Sequence, residues 1–302
     1  MEDNNVFKFK RTIFTFLLVF GLTATLMGNE WADTYFPNKI GSSWVYVNED
    51  GDEITRYAVE GEEIDGTTYR AFTYEPAIDD WEKYQYAVHP YLYQVGEEWI
   101  TFLVGDEIEQ ATKSILEKKL DEAVVLMQEQ IAGQLPPEVT IDFDFDVDPQ
   151  AQDLFYLFPI PIAYNEEWVA MHLDIKVDMT MDVQGAPTEL PEELKTITSN
   201  TSIEETGVIL GTESVETEAG TFDDCLIIEY KTKTTTETDL PPEIQQMIPE
   251  QQTNEATTTL WLAPNVGIVK FRSENENTDD VATLELTNYE IIPDESESEE
   301  KE

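Results

Sequence analysis

The run from Val169 to Val183 alternates between two phases without a break. Val169, Met171, Leu173, Ile175, Val177, Met179, Met181 and Val183 hold one phase. Trp168, Ala170, His172, Asp174, Lys176, Asp178, Thr180 and Asp182 hold the other. A period of two sustained this far predicts one β-strand with a buried face and a wet face. At about 3.3 Å per residue it would run roughly 50 Å, and a twisted strand of that length must curl. Its apolar face then becomes concave and has to cover something.

The same alternation recurs at Val139–Val147, where Ile141, Phe143 and Phe145 are interleaved with Asp142, Asp144, Asp146 and Asp148. A hairpin is expected around Asn48-Glu49-Asp50-Gly51, between Trp44–Val47 and Ile54–Val59. Further strands are expected at Thr67–Tyr74, Lys83–Val88, Tyr91–Val95, Trp99–Val104, Thr196–Glu204, Val208–Val215, Cys225–Thr234, Thr257–Leu262, Gly267–Arg272 and Ala282–Tyr289. Pro159 and Pro161 keep the apolar segment 154–162 out of a central strand. One helix is expected near 106–132, with Ile108, Ala111, Ile115, Leu116, Leu120, Ala123, Val124, Met127 and Ile131 at helical spacing. Asp106 and Glu109 look like its capping pair, and Gly133 with Pro136-Pro137 ends it. The expected fold class is therefore mainly β (α+β): one long curved antiparallel sheet or half-barrel wrapping a single long amphipathic helix.

The chain has 302 residues, and Lys plus Arg total 17 against 64 Asp plus Glu, a formal net charge of −47. A phosphate backbone requires a basic face, so nucleic acid is excluded as a partner, and an anionic membrane surface is excluded for the same reason. The acids are interleaved with apolar and aromatic residues, so the chain is not simply disordered. Residues 1–28 read as a signal peptide: Lys8, Lys10 and Arg11 precede an apolar stretch from Ile13 to Met27. Glu2, Asp3 and the poor cleavage site at Leu26-Met27-Gly28 leave an uncleaved N-terminal anchor as the alternative. The expected location is extracytoplasmic, periplasmic or secreted. Cys225 is the one cysteine, so neither an internal disulfide nor a lipid-modified N-terminus is expected. Residues 29–293 are expected to form one β-rich domain, followed by a disordered acidic tail at 294–302.

Three stretches resemble a loose group of uncharacterised exported bacterial β-proteins. They are Tyr35-Phe36-Pro37 leading to Gly41, Trp44 and Tyr46; Gly211, Val215 and Ala219-Gly220-Thr221-Phe222 leading to Cys225; and Trp261 to Lys270. The order of strands and one helix is similar to the half-barrel of the periplasmic lipoprotein carriers of the LolA/LolB type. That resemblance implies a curved sheet around a helix and an apolar cavity, in an exported protein. It carries over no functional residue.

Catalytic chemistry is thinly supplied. His89 and His172 belong to no nucleophile signature, and Cys225 has no basic neighbour in sequence to activate it. Carboxylates are too numerous for any pair to single itself out, so a carboxylate-dependent hydrolase remains the weakest reading. Asp142, Asp144, Asp146 and Asp148 lie along an extended strand and lack the loop glycine and the glutamate of a calcium hand. No catalytic residue, cofactor or metal site is expected. Trp81, Tyr84, Tyr86, Tyr91, Tyr93, Trp99 and Phe102 could stack sugars, although core-edge packing is the default. The favoured site is the apolar concavity, lined by Met127, Phe143, Phe145, Met171, Leu173, Ile175, Val177, Met179 and Met181. Methionine adapts to irregular partners, which suits an apolar small molecule or lipid. Segments 154–162 and 240–249 are the candidate covers. A non-enzymatic binding protein is thus the leading expectation, and an envelope module recognising carbohydrate or protein the alternative.

Overall fold

A computed structural model describes residues 31–32, 34–77, 92–132, 136, 139–185, 195–239, 254–275 and 281–292. The expected signal segment, the strand at 83–88, His89, Trp81, Tyr84, Tyr86, Tyr91, the connection 240–249 and the tail at 294–302 lie outside them. The strands are β1 (Ser43–Asn48), β2 (Glu53–Val59), β3 (Glu63–Ile64), β4 (Thr67–Thr68), β5 (Arg70–Glu75), β6 (Leu92–Val95) and β7 (Trp99–Leu103). After the helix α1 (Gly105–Ala132) come β8 (Thr140–Ala151), β9 (Leu154–Pro159), β10 (Glu167–Gln184), β11 (Thr196–Thr217) and β12 (Gly220–Thr238). The last three are β13 (Asn254–Ala263), β14 (Gly267–Asn275) and β15 (Val281–Glu290).

Among the described residues thirteen strands form a single antiparallel sheet in the order β8-β10-β11-β12-β13-β14-β15-β1-β2-β5-β6-β7-β9, with β3 and β4 a separate hairpin. The hydrogen bonding leaves the sheet open. Its two edge strands, β8 and β9, are nevertheless consecutive in the chain, joined by Gln152 and Asp153 alone. The sheet therefore curls until its ends meet at that joint. Apolar side chains fill the inside of the curl, among them Trp44, Phe72, Tyr93, Phe102, Phe155, Leu157, Ile228, Leu260 and Phe271. Trp44 donates through Nε1 to Val266 O at 2.6 Å and Tyr46 through its hydroxyl to Ile268 O at 3.0 Å, so the polar tips of these aromatics are satisfied. The expected hairpin is present, with Asn48 Oδ1 accepting from Asp50 N and Asp52 N and Gly51 at a φ of 85°.

The long alternating stretch is one unbroken strand, and it has company. β11 merges two expected strands into 22 residues, and β12 runs for 19. At about 3.3 Å per residue β11 spans roughly 70 Å. The outer ends of β8, β10, β11 and β12 thus project beyond the filled core as a wing.

One expectation for β10 is overturned. A bulge between Val169 and Met171 inserts Ala170, so Ala170 and Met171 are both buried. The bulge flips the phase ahead of it: Trp168 points inward and Val169 is 47% exposed, the reverse of what strict alternation demands. A second expectation also fails, because segment 154–162 does not cover anything. Its first part is β9, paired with β7, and Phe155, Leu157 and Phe158 lie in the core.

α1 packs along β8. Gln152 N donates to His172 O, so by the alternation of an antiparallel ladder the N–H of Ala151 points away from β10, to the free edge. Glu109 Oε1 accepts that N–H at 2.9 Å. Glu109 therefore ties the helix to the sheet edge instead of reaching back to cap the helix. Asp106 and Glu107 in the first turn suit the positive end of the helix dipole. A helix laid beside an edge strand also shields that edge from pairing with another chain.

Candidate functional site

The inner face of the wing carries the residues that alternation singled out. Across β8 and β10 the register pairs Phe143 with Met181, Phe145 with Met179, and Val147 with Val177. Phe143, Phe145, Val177, Met179 and Met181 are half-buried, as is Met127 on α1. Met171, Leu173 and Ile175 lie deeper on the same strand and are buried in the core. The nine expected lining residues thus divide into a deep group and a half-open group. Val125 and Leu126 of α1 remain 54% and 59% exposed, adding apolar surface beside the wing.

Across β11 and β12 the same inner face becomes hydroxylic. Thr201 faces Thr236 with their Oγ1 atoms 3.0 Å apart, and Ser199 faces Thr238 at 3.3 Å. One part of this inner face is therefore sulfur and aromatic, and the other a ladder of side-chain hydroxyls. Such a surface matches a molecule with an apolar body and some hydrogen-bonding capacity.

At the deep end stands Glu205, paired with Met171 on one side and Thr232 on the other. It is 3% exposed, and Oε2 has no hydrogen-bond partner. Burial alone pushes its pKa up to about 8, since no cation among the described residues faces it. Next to it Trp168 lies against Gly207, where an added Cβ would meet the indole at 2.4 Å. Trp168 Nε1 donates to Tyr156 O at 2.9 Å, and its ring packs on Trp99 and Tyr230. The hydroxyl of Tyr230 donates to Leu157 O; burial and then the neighbouring Glu205 raise its pKa.

A buried cation is equally hidden from the sequence. Arg56 sits inside the curl with its guanidinium 3.4 Å from the centroid of the Phe72 ring and 5.3 Å from that of Trp44, and its Nε has no hydrogen-bond partner. Cation–π contact substitutes for a carboxylate there.

The outer face is a different surface. Asp148, Asp174, Lys176, Asn200, Thr235 and Glu237 border a depression of about 480 Å³ that opens to solvent. Lys176 donates to Asp178 Oδ2 at 2.6 Å, and the hydroxyl of Thr198 donates to Asp178 Oδ1 at 2.6 Å. Those two donors hold the Asp178 carboxyl below its usual range. Asp142 directly opposes Asp182, whose Oδ2 accepts from the neutral Gln184 amide at 3.0 Å rather than from a cation. Like charges opposed across strands destabilise. Thermal melts in rising NaCl, from about 0.05 to about 0.5 M, should therefore show Tm climbing by several degrees as screening grows. A flat profile would mean that the acidic face is already neutralised.

The remaining sequence candidates fall into place simply. His172 lies on the outer phase with Nε2 3.1 Å from Asp174 Oδ2. Cys225 is buried, and burial pushes its thiol up to about 11, away from nucleophilic use. Of the aromatic strip, Tyr93 and Phe102 are core and Trp99 packs edge-on against Tyr156. No helix among the described residues is long and apolar enough to cross a membrane.

These features define a class: a β-protein built on one open, curling antiparallel sheet whose longest strands extend past its core. Residues 164–286, from just before β10 into β15, match a protein-family model described as DUF3108-like. No curated protein matches the chain. Among solved structures it is similar to a candidate exported protein with a YmcC-like fold from Bacteroides fragilis, at 14% identity and a TM-score of 0.38, covering 85% of this chain and 99% of that one. It is also similar to a candidate lipoprotein from Parabacteroides distasonis, at 14% identity and a TM-score of 0.36, covering 85% of this chain and 98% of that one.

Proposed function

We propose that this chain is an exported, non-catalytic binding protein that holds a single-chain amphiphile in the trough between α1 and the inner face of the wing. The observation that carries the reading is the half-open group of Phe143, Phe145, Val177, Met179 and Met181, paired across β8 and β10 beyond the filled core. In a chain of net charge −47, leaving contiguous apolar side chains half in water has a solubility cost that a ligand would remove. The hydroxyl ladder of Ser199, Thr201, Thr236 and Thr238 would serve the less apolar parts of the same ligand. The charge pattern of residues 1–28 supports export.

Native mass spectrometry of protein purified without detergent should show adducts with masses of single-chain lipids. Met179→Asp, which places a charge at the centre of the trough, should abolish them while leaving the melting temperature within a few degrees, because the site is half-exposed. Persistently adduct-free spectra from wild-type protein would overturn the reading. A second reading rests on the depression of about 480 Å³ on the outer face, whose carboxylates, amides and hydroxyls suit a polar envelope ligand such as a sugar. Glycan binding that is lost on Asp174→Ala and indifferent to Met179→Asp would favour it.

A further inference from the structure

Along β11 the inner-phase side chains go from half-buried at Ser199, Thr201 and Ile203 to buried at Glu205, Gly207 and Ile209. Glu205 therefore marks the point where the trough runs into the core. Among the described residues it is the one carboxylate on this path, and its Oε2 meets no donor. A carboxyl oxygen left unsatisfied in an apolar site is costly unless something supplies the missing hydrogen bond. Among the described residues every other charged group nearby is turned away. His172 and Asp174 on β10, Glu204 on β11, and Lys231 and Lys233 on β12 lie on the outer phase, and β13 presents Ala256 in the same inner row. Tyr230 on β12 is the titratable group that faces it, and its hydroxyl is committed to Leu157 O.

We propose that Glu205 is the head-group anchor of the trough and that the ligand is a cationic amphiphile, its ammonium donating to Glu205 Oε2 and its chain lying along Ile203, Thr201, Val177 and Met179. This rests on the trough being the binding site. Two independent features select the positive head: the orphaned buried carboxyl oxygen, and a net charge of −47 that attracts cations and repels fatty-acid carboxylates. Around neutral pH the empty site holds Glu205 as the neutral acid, its pKa raised by burial to about 8. An arriving ammonium stabilises the carboxylate, so the acid proton leaves for solvent while the ligand keeps its own protons. Binding then releases about one proton per ligand.

The test uses the full chain and two probes of equal chain length below their micelle concentrations, dodecylamine and dodecanol. Titration calorimetry at about pH 6.5, in buffers of different ionisation heat, should count about one proton released per dodecylamine and none for dodecanol. Glu205→Gln should abolish the release and weaken dodecylamine by about tenfold or more, with dodecanol unchanged. Dodecylamine binding without proton release, equal in wild type and Glu205→Gln and lost together with dodecanol in Met179→Asp, would overturn the anchor and leave the trough standing. Failure of both probes to bind, or binding indifferent to Met179→Asp, would overturn the trough as well. Should Glu205→Gln not fold, the proton count on wild type decides alone.

Discussion

Gly207→Ala should destabilise the protein by about 3 kcal/mol and leave Trp168 in a different environment. The added Cβ would fall 2.4 Å and 2.5 Å from Cζ2 and Cε2 of the Trp168 indole, far inside contact distance. The ring has nowhere cheap to go. Its Nε1 is bonded to Tyr156 O, Trp99 and Tyr230 flank it, and it is nearly buried. Relief needs either rupture of that hydrogen bond or separation of β10 from β11, where Gly207 and Trp168 are direct partners. Urea unfolding gives the loss of stability, and tryptophan emission reports the displacement. An unshifted midpoint would show that the indole moves freely, and that the aromatic cluster does not hold the junction between core and wing.

That contact illustrates what sequence reasoning reaches and what it does not. β10 is legible because its two-residue period persists from Met171 onward and does not depend on its neighbours. The bulge at Ala170 is not, because a bulge is a property of the pairing with β11 and leaves no mark in one strand's own alternation. β11 itself reads as two strands, since Ser199, Thr201, Thr206 and Gly207 blur the contrast between its faces. The helix is plain from its spacing. Its place beside the free edge of β8 depends on Glu109 meeting Ala151 N, a contact 42 residues apart that no local pattern encodes.

The site divides along the same line. Phe143, Phe145, Met179 and Met181 are visible because apolar residues in a strand's inner phase advertise themselves. Glu205 is hidden among 64 acids, and Arg56, which packs on rings from β1 and β5, is equally unmarked by its own strand. A signal for Glu205 exists: it shares a phase with Ile203, Gly207 and Ile209. That signal becomes readable only once β11 is known to be a single strand.

The acidity of Glu205 should dominate the difference in pH dependence between wild type and Glu205→Gln. Its pKa is about 8 in the folded chain against an ordinary value of 4.5, so folding raises it. The folded state holds the proton more tightly, so the associated stability is fully present below pH 4.5 and is lost as pH rises through about 8. At about pH 9 the wild type carries a buried, unpaired carboxylate. With ~1.4 kcal/mol for each pH unit separating the folded and unfolded acidities, the penalty approaches roughly 5 kcal/mol. Glutamine has no proton to lose. The other carboxylates titrate in both proteins and cancel in the comparison, which isolates Glu205 even in so acidic a chain. Urea midpoints of the two proteins should therefore nearly coincide at about pH 5 and diverge steadily towards about pH 9, with Glu205→Gln the more stable by a few kcal/mol. Parallel profiles would show that Glu205 reaches water or a cation in solution, and the wing would then have to open where the side chain is enclosed.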